Sequence, residues 1–263
     1  MVGPILFLVY INYLPLNAEC DVRLFAVDTI VHTNTNNDRQ LQMDLNSLEQ
    51  WEADWDMHFN PFKCEVIRFS RKKKPAVQRV YTLHDENIPH ASTIQYLGVK
   101  IQSDLQWNAH IDYTTSKASS TLGFIKRTIP PQSTTLRARA YKQLIRPILE
   151  YASCSFDPLP KTQATKLEAS QRQAARAVFD IPRISHTSTT ALLNKLQWEP
   201  LSDRRLNRRL AMFRAMHFGE IGVDIEPHVK PSTARVTARR HNQQYAVTHH
   251  NTKAHMSTFF IDT

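Results

Sequence analysis

Asp28 is the side chain whose surroundings most suggest chemistry. It lies in the run Leu24-Phe25-Ala26-Val27-Asp28-Thr29-Ile30-Val31, with Val22 just upstream, and it is the only charge in the middle of that run. A carboxylate among apolar neighbours is costly unless a partner or a cation compensates it. Asn34, Asn36, Asn37 and Asp38 close the run with turn chemistry. The pattern predicts two short buried strands joined by a tight turn, with Asp28 at or near the tip. Asp28 is then either a turn residue, a common place for Asp, or a metal-directed carboxylate. Farther along, cationic groups recur with helical spacing: Arg172 and Arg176 one turn apart, then Arg204, Arg205, Arg208 and Arg209. Such groups could contact phosphates without reading sequence, or could form a solvated basic face.

The elements that must position these groups read as an α+β chain. Leu41, Leu45, Leu48 and Trp55 form one apolar stripe and predict a helix over 38–58, with Asp38 as N-cap and Pro61 as a stop signal. Trp51 and Trp55 at that spacing suit a core better than a base-stacking platform. Strands are predicted over 65–69, 78–83 and 93–101. Gly98, inside the last, marks either a bulge or the close approach of another backbone. The run Arg71-Lys72-Lys73-Lys74 between strands reads as a solvated loop, with nuclear localisation as the alternative.

From Asn108 the pattern turns helical. Ile111, Thr115, Ala118, Leu122 and Ile125 make one stripe, which Pro130-Pro131 end. Leu136, Ala140, Leu144 and Ile148 make the next, beside Tyr141, Ile145 and Leu149, and Pro147 should kink it. Helices are further predicted over 161–178, 189–196 and 202–218. In the last, Leu206, Leu210, Phe213 and His217 share one face, and the four arginines lie opposite. After Gly222 the periodicity stops, and 229–263 reads as a disordered or loosely packed tail. His249, His250 and His255 lack the Cys or carboxylate companions of a good metal site.

Several segments, in order, resemble reverse transcriptases of the non-LTR, jockey-like retrotransposons. Gly3-Pro4-Ile5-Leu6-Phe7-Leu8-Val9-Tyr10-Ile11-Asn12 is similar to the segment before the family's Phe-Ala-Asp-Asp box, and 24–31 resembles the box itself. Asn60-Pro61-Phe62-Lys63 resembles the Asn-Pro-x-Lys element, Tyr96-Leu97-Gly98-Val99 the primer-grip hairpin, and Arg146 to Ala152 a segment that follows the palm. The resemblance runs from about residue 3 to about residue 220. It implies a partial palm over 1–104, antiparallel strands with helices, then a mainly helical thumb-like bundle over 105–222 and a tail over 223–263. It implies a short helix over 5–13 whose Ile5, Leu6, Leu8 and Val9 would be covered in a complete enzyme and exposed here. It further implies that Lys63 lies near the incoming nucleotide, that Tyr96, Leu97 and Gly98 grip a primer terminus, and that the six arginines face phosphates.

The family box has two adjacent Asp where this chain has Val27-Asp28, and the resemblance puts another catalytic Asp before Met1. Polymerisation uses two divalent cations held by carboxylates. Mg²⁺ wants oxygen ligands in octahedral array, and Val27 offers none. Tyr13 stands where the family commonly has Asp, and Phe156, before Asp157-Pro158, where it usually has Trp. The expectation is a degenerate polymerase fragment without activity, needing no cofactor although the intact family uses Mg²⁺. The alternative is a non-enzymatic remnant that binds an RNA/DNA duplex.

Composition is compatible with both. The chain has 263 residues, 41% hydrophobic, enough to bury a core, and a formal net charge of +9 that suits a polyanionic partner. Three widely spaced cysteines make neither an even disulfide set nor a metal motif and point to a reducing compartment, cytoplasmic or nuclear. No apolar run reaches the ~18 residues of a membrane span. Ile5 to Leu16 contains Asn12 and lacks a basic leader, which argues against a signal peptide. No phosphate loop, zincin motif or Ser-His-Asp spacing is present. The oligomeric state is left open.

Overall fold

The computed structural model describes residues 2–34, 37–69, 79–182 and 184–223, with a short strand pair at 230–231 and 245–246. The basic run at 71–74, residue 78 of the expected strand, and His249, His250 and His255 lie outside the described residues. The fold mixes helices with small antiparallel strand pairs, an α+β arrangement. Two compact units divide at Gln106/Trp107.

The first unit is built on α2 (Asp38–Trp55), and different hairpins pack on its two flanks. One flank buries Leu48 and Trp51 against α1 (Gly3–Ile11), the turn Leu14–Asn17 and the hairpin of β1 (Asp21–Phe25) with β2 (Asp28–His32). The other sets Leu41 and Leu45 against the hairpin of β3 (Tyr81–Leu83) with β4 (Glu86–Ile88). Polar side chains of α2 fix both. The Gln42 amide donates to the Thr82 carbonyl at 3.0 Å and accepts from its N–H at 2.9 Å, acting as a strand neighbour for β3. Buried Asp44 accepts from the backbone of Cys20 at 2.7 Å and Glu19 at 3.1 Å, which ties the entry of β1 to α2. Buried Glu52 pairs with His84 Nε2 at 2.6 Å and accepts from the Phe59 N–H. Trp51 and Trp55 stack in this core, with Phe59 and Tyr13 beside them.

Several expectations need correction. Asn37, not Asp38, occupies the N-cap position of α2, and Asp38 sits in the first turn, where an acid favours the helix dipole. Among the described residues, 65–69 form no strand but one isolated bridge, Val66 to His90, where the Val66 N–H donates to the Pro89 carbonyl and the Ala91 N–H donates to the Val66 carbonyl. The segment 93–101 is not one strand but a hairpin of β5 (Thr93–Tyr96) and β6 (Val99–Gln102). Its turn residues Leu97 and Gly98 have φ of 46° and 79°, the positive pair that a type I′ turn needs. His84 and Asp85 repeat this geometry at 53° and 60°, so β4 escaped notice because no glycine flags its turn. Among the described residues each of these strand pairs stands alone, with no larger sheet.

The second unit packs α3 (Asn108–Thr128) on α7 (Lys161–Val178). Around this pair lie α4 (Thr134–Ala140), α5 (Arg146–Glu150), α6 (Ser153–Phe156), α8 (Thr189–Leu196) and α9 (Leu201–His217). Ile111, Leu122, Ile145, Leu149, Leu167 and Leu201 form its centre, each worth about 1.5–3 kcal/mol on burial. A π-helical turn, Tyr141–Ile145, joins α4 to α5. Pro147 explains it: a proline ring clashes with the carbonyl four residues back, and widening the turn relieves the clash. Tyr141, Ile145 and Leu149 are buried, whereas Leu136 and Leu144, expected in the core, are exposed. Phe156 is buried, with its ring 5.1 Å from His110 and 6.3 Å from Trp107.

Candidate nucleic-acid interface

The β1–β2 hairpin closes with a two-residue turn, Ala26-Val27, and Asp28 opens β2 opposite Phe25. The strands are not fully buried: β1 alternates between exposed and half-buried positions, β2 is half-buried from Thr29 to Val31, and Asp28 at its start is exposed. Val27 projects at the tip with 73% exposure. Ala26 has φ of 52°, a left-handed conformation costly for a residue with a Cβ. Among the described residues no group of three His, Cys, Asp or Glu converges as a metal site. One carboxylate beside an aliphatic side chain does not fit a two-cation centre. Lys63 ends the short turn Pro61–Lys63, held where the Asn60 side chain accepts from the Phe62 N–H. Its ammonium is exposed. Tyr96, Leu97 and Gly98 occupy the tip of the β5–β6 hairpin.

The arginines of the second unit divide into committed and available groups. Arg205 and Arg209 are 3% exposed and bind the two oxygens of Asp157 at 2.9 and 3.1 Å. Arg204 and Arg208 converge on buried Glu150, where Arg208 Nη2 lies 2.6 Å from Oε2, and Arg208 also donates to the Glu150 carbonyl. The Glu150 hydrogen bonds, offset in part by burial, hold the Arg204 pKa above its ordinary value. Arg176 donates to the carbonyls of Pro182, Ser185 and Thr187 and so clamps the loop after α7. Buried Arg137 does the same between helices, donating to Ile129 and Ala177 near the C-termini of α3 and α7, where cations are favoured.

Arg172 differs. It is half-buried in a surface groove of about 710 Å³ between α3 and α7, with Lys126 and Arg176 also on the wall and Asp180 opposing them. Lys126 was not singled out in the sequence, since it belongs to a different helix and becomes a neighbour only through packing. The acids Glu150 and Asp157 were equally hidden as partners, lying about fifty residues before the arginines they hold.

The chain is 24% identical, over 199 residues, to the RNA-directed DNA polymerase from mobile element jockey of Drosophila melanogaster, covering 69% of this chain and 21% of that protein. It is 26% identical, over 147 residues, to the probable RNA-directed DNA polymerase from transposon BS of the same organism, covering 55% of this chain and 16% of that one. The chain is homologous to non-LTR retrotransposon RNA-directed DNA polymerases. It spans about a fifth or less of the length of these curated polymerase relatives. No family model and no solved structure matches it.

Against the polymerase resemblance, Glu150 and Asp157 acquire a physical role. Glu150 lies in the Arg146 to Ala152 segment, and Asp157 follows Phe156. Each anchors two arginines of α9. Among the described residues, no helix is long and apolar enough to cross a membrane.

Proposed function

We propose that this chain derives from the polymerase region of a non-LTR retrotransposon and does not itself polymerise DNA. The observation that carries the reading is the β1–β2 tip: Val27 takes the position of one of the two adjacent carboxylates in the family box, and Asp28 is left as a single ligand. Two-cation catalysis needs carboxylates to bring a pair of hard ions to the attacking and leaving oxygens. An isolated, exposed Asp28 holds neither ion in a fixed place. Lys63 keeps a position from which it could offset phosphate charge, but without the ions it has no reaction to assist.

A second reading, a non-enzymatic binder of RNA/DNA duplex inside the cell, draws on the groove with Lys126 and Arg172. The net charge of +9 supplies long-range attraction to a polyanion. Of the six arginines proposed from sequence, Arg172 is, among the described residues, the one available for a phosphate contact. The hairpin tip at Tyr96, Leu97 and Gly98 is the corresponding candidate in the first unit.

Primer extension on an RNA template, with purified chain shown to be folded by circular dichroism, tests the first reading. No incorporation is expected with Mg²⁺ or Mn²⁺, and template-dependent incorporation would overturn it. Anisotropy with a labelled RNA–DNA primer-template at several salt concentrations tests the second. Binding that weakens steeply with salt supports it, and no binding at low salt rejects it.

A further inference from the structure

Because α9 turns Arg205 and Arg209 inward, the opposite face of the helix lies open. Asp203, Leu206, Asn207, Leu210 and Arg214 are all exposed. At about 100° per residue they fall on one stripe. Leu206 and Leu210 keep 42% and 43% of their surface in solvent. The stripe begins with an acid and ends with a base. Asp203 accepts a hydrogen bond from its neighbour Ser202, and Arg214 lies over the Phe218 ring at 5.6 Å. Neither has an oppositely charged partner among the described residues.

We infer that this face pairs with the same face of a second copy of the chain, the two α9 helices running antiparallel about a two-fold axis at the level of residue 208. The order acid, leucine, leucine, base is its own complement when reversed. Leu206 of one copy then meets Leu210 of the other. Asp203 falls one residue from Arg214 of the other copy, within an arginine's reach, and the symmetry makes this contact twice. Parallel pairing would instead set Asp203 on Asp203 and Arg214 on Arg214. The charged ends are eleven residues apart, about 16 Å along the helix, so the leucines lie in the middle and the charges at the rim, the usual anatomy of a protein contact. Ala211, exposed beside Leu210, lets the helices approach closely. A contact of one helix face is small against the roughly 1,200 Å² at the low end of specific interfaces, which makes this a weak, concentration-dependent dimer.

Sedimentation velocity of the full chain across roughly the micromolar range tests this. The parent should shift from monomer to dimer with concentration. Asp203→Arg and Arg214→Asp each place like charges together twice and should weaken the dimer roughly tenfold or more. Both sites are exposed, and reversing a charge at either end of α9 costs only a little through the helix dipole, so circular dichroism of each variant confirms that the fold persists. The decisive arms restore the charges. An equimolar mixture of the two single variants should form a heterodimer. At one end of its interface the introduced arginine meets the introduced aspartate, and at the other end the native Arg214 meets the native Asp203. The double variant, which keeps the parent's net charge, should recover the homodimer. A chain that stays monomeric throughout, as it would if another of its own segments covered α9, overturns the inference. So does a dimer indifferent to both single reversals.

Discussion

Asp157→Asn is the sharpest perturbation of the helical unit. The change removes one negative charge and almost no volume. In the parent, both carboxylate oxygens are used, one by Arg205 and one by Arg209, whose side chains are 3% and 4% exposed against 12% for Asp157. Removing the acid leaves two guanidinium groups without a counter-charge in a place where water reaches neither well. Breaking a buried pair by deleting one partner costs about 3–5 kcal/mol. The residual exposure of Asp157 sets the expectation at the lower end, about 3 kcal/mol. For a unit of on the order of 100 residues, each kcal/mol moves the melting temperature about 4 °C, so the helical unit should melt about 12 °C lower. Circular dichroism at 222 nm reads this directly. Arg208→Gln supplies the contrast: that side chain is 44% exposed, and its loss should cost about 1 kcal/mol or less. If Asp157→Asn melts within a few degrees of the parent, the inward-facing assignment of Arg205 and Arg209 is wrong. Were these arginines phosphate ligands instead, the same variant would bind nucleic acid more tightly at little cost in stability.

Other outcomes follow from the same geometry. Ala26→Gly should stabilise the first unit by about 0.5–1 kcal/mol in urea denaturation, because glycine tolerates the positive φ at the hairpin tip although it adds unfolded-chain entropy. For Asp44, burial pushes the carboxyl pKa up, but hydrogen bonds from the Cys20 thiol and N–H, from Gln40 and from Glu19 outweigh it and hold the group below the usual carboxylate range. The unfolded chain therefore takes up this proton first, so the stabilisation is present above about pH 4 and fades as pH falls through the lower folded value. The stability difference between parent and Asp44→Asn should narrow below about pH 4, and a difference that stays flat to about pH 2.5 would contradict the assignment. Arg172→Glu should weaken binding to every duplex sequence alike and flatten the salt slope by about one. The exposed Lys63→Ala, if the β1–β2 region has no nucleotide to serve, should leave nucleic-acid affinity within about twofold.

The helical half was legible in the sequence as elements but only in part as faces. The stripe of Ile111, Ala118, Leu122 and Ile125 falls on the buried side of α3, because a 3.6-residue period over several turns is a strong signal. What the period cannot always say is which side of a helix meets the core. In α9 the apolar stripe of Leu206 and Leu210 was the natural inner face, and the arginines were the natural outer one. The structure reverses them because Glu150 and Asp157 supply buried counter-charges from residues about fifty positions earlier, a pairing that no local pattern encodes. The widened turn at Tyr141–Ile145 is by contrast a local effect, placed by Pro147 just after it, where the sequence already announces a break in the helix. In the first unit the hairpin at Ala26-Val27 was readable from its flanking apolar runs, whereas the one at His84-Asp85 was not, since its type I′ turn carries no glycine or asparagine. It is held from outside, by Glu49 on the His84 N–H and Glu52 on the His84 ring. The pattern across both units is consistent: local periodicity announces that an element exists, and buried charge pairs with distant partners decide how it is turned. For α9 that decision has a consequence at the surface, because a helix that spends its arginines inward must present its leucines to something else.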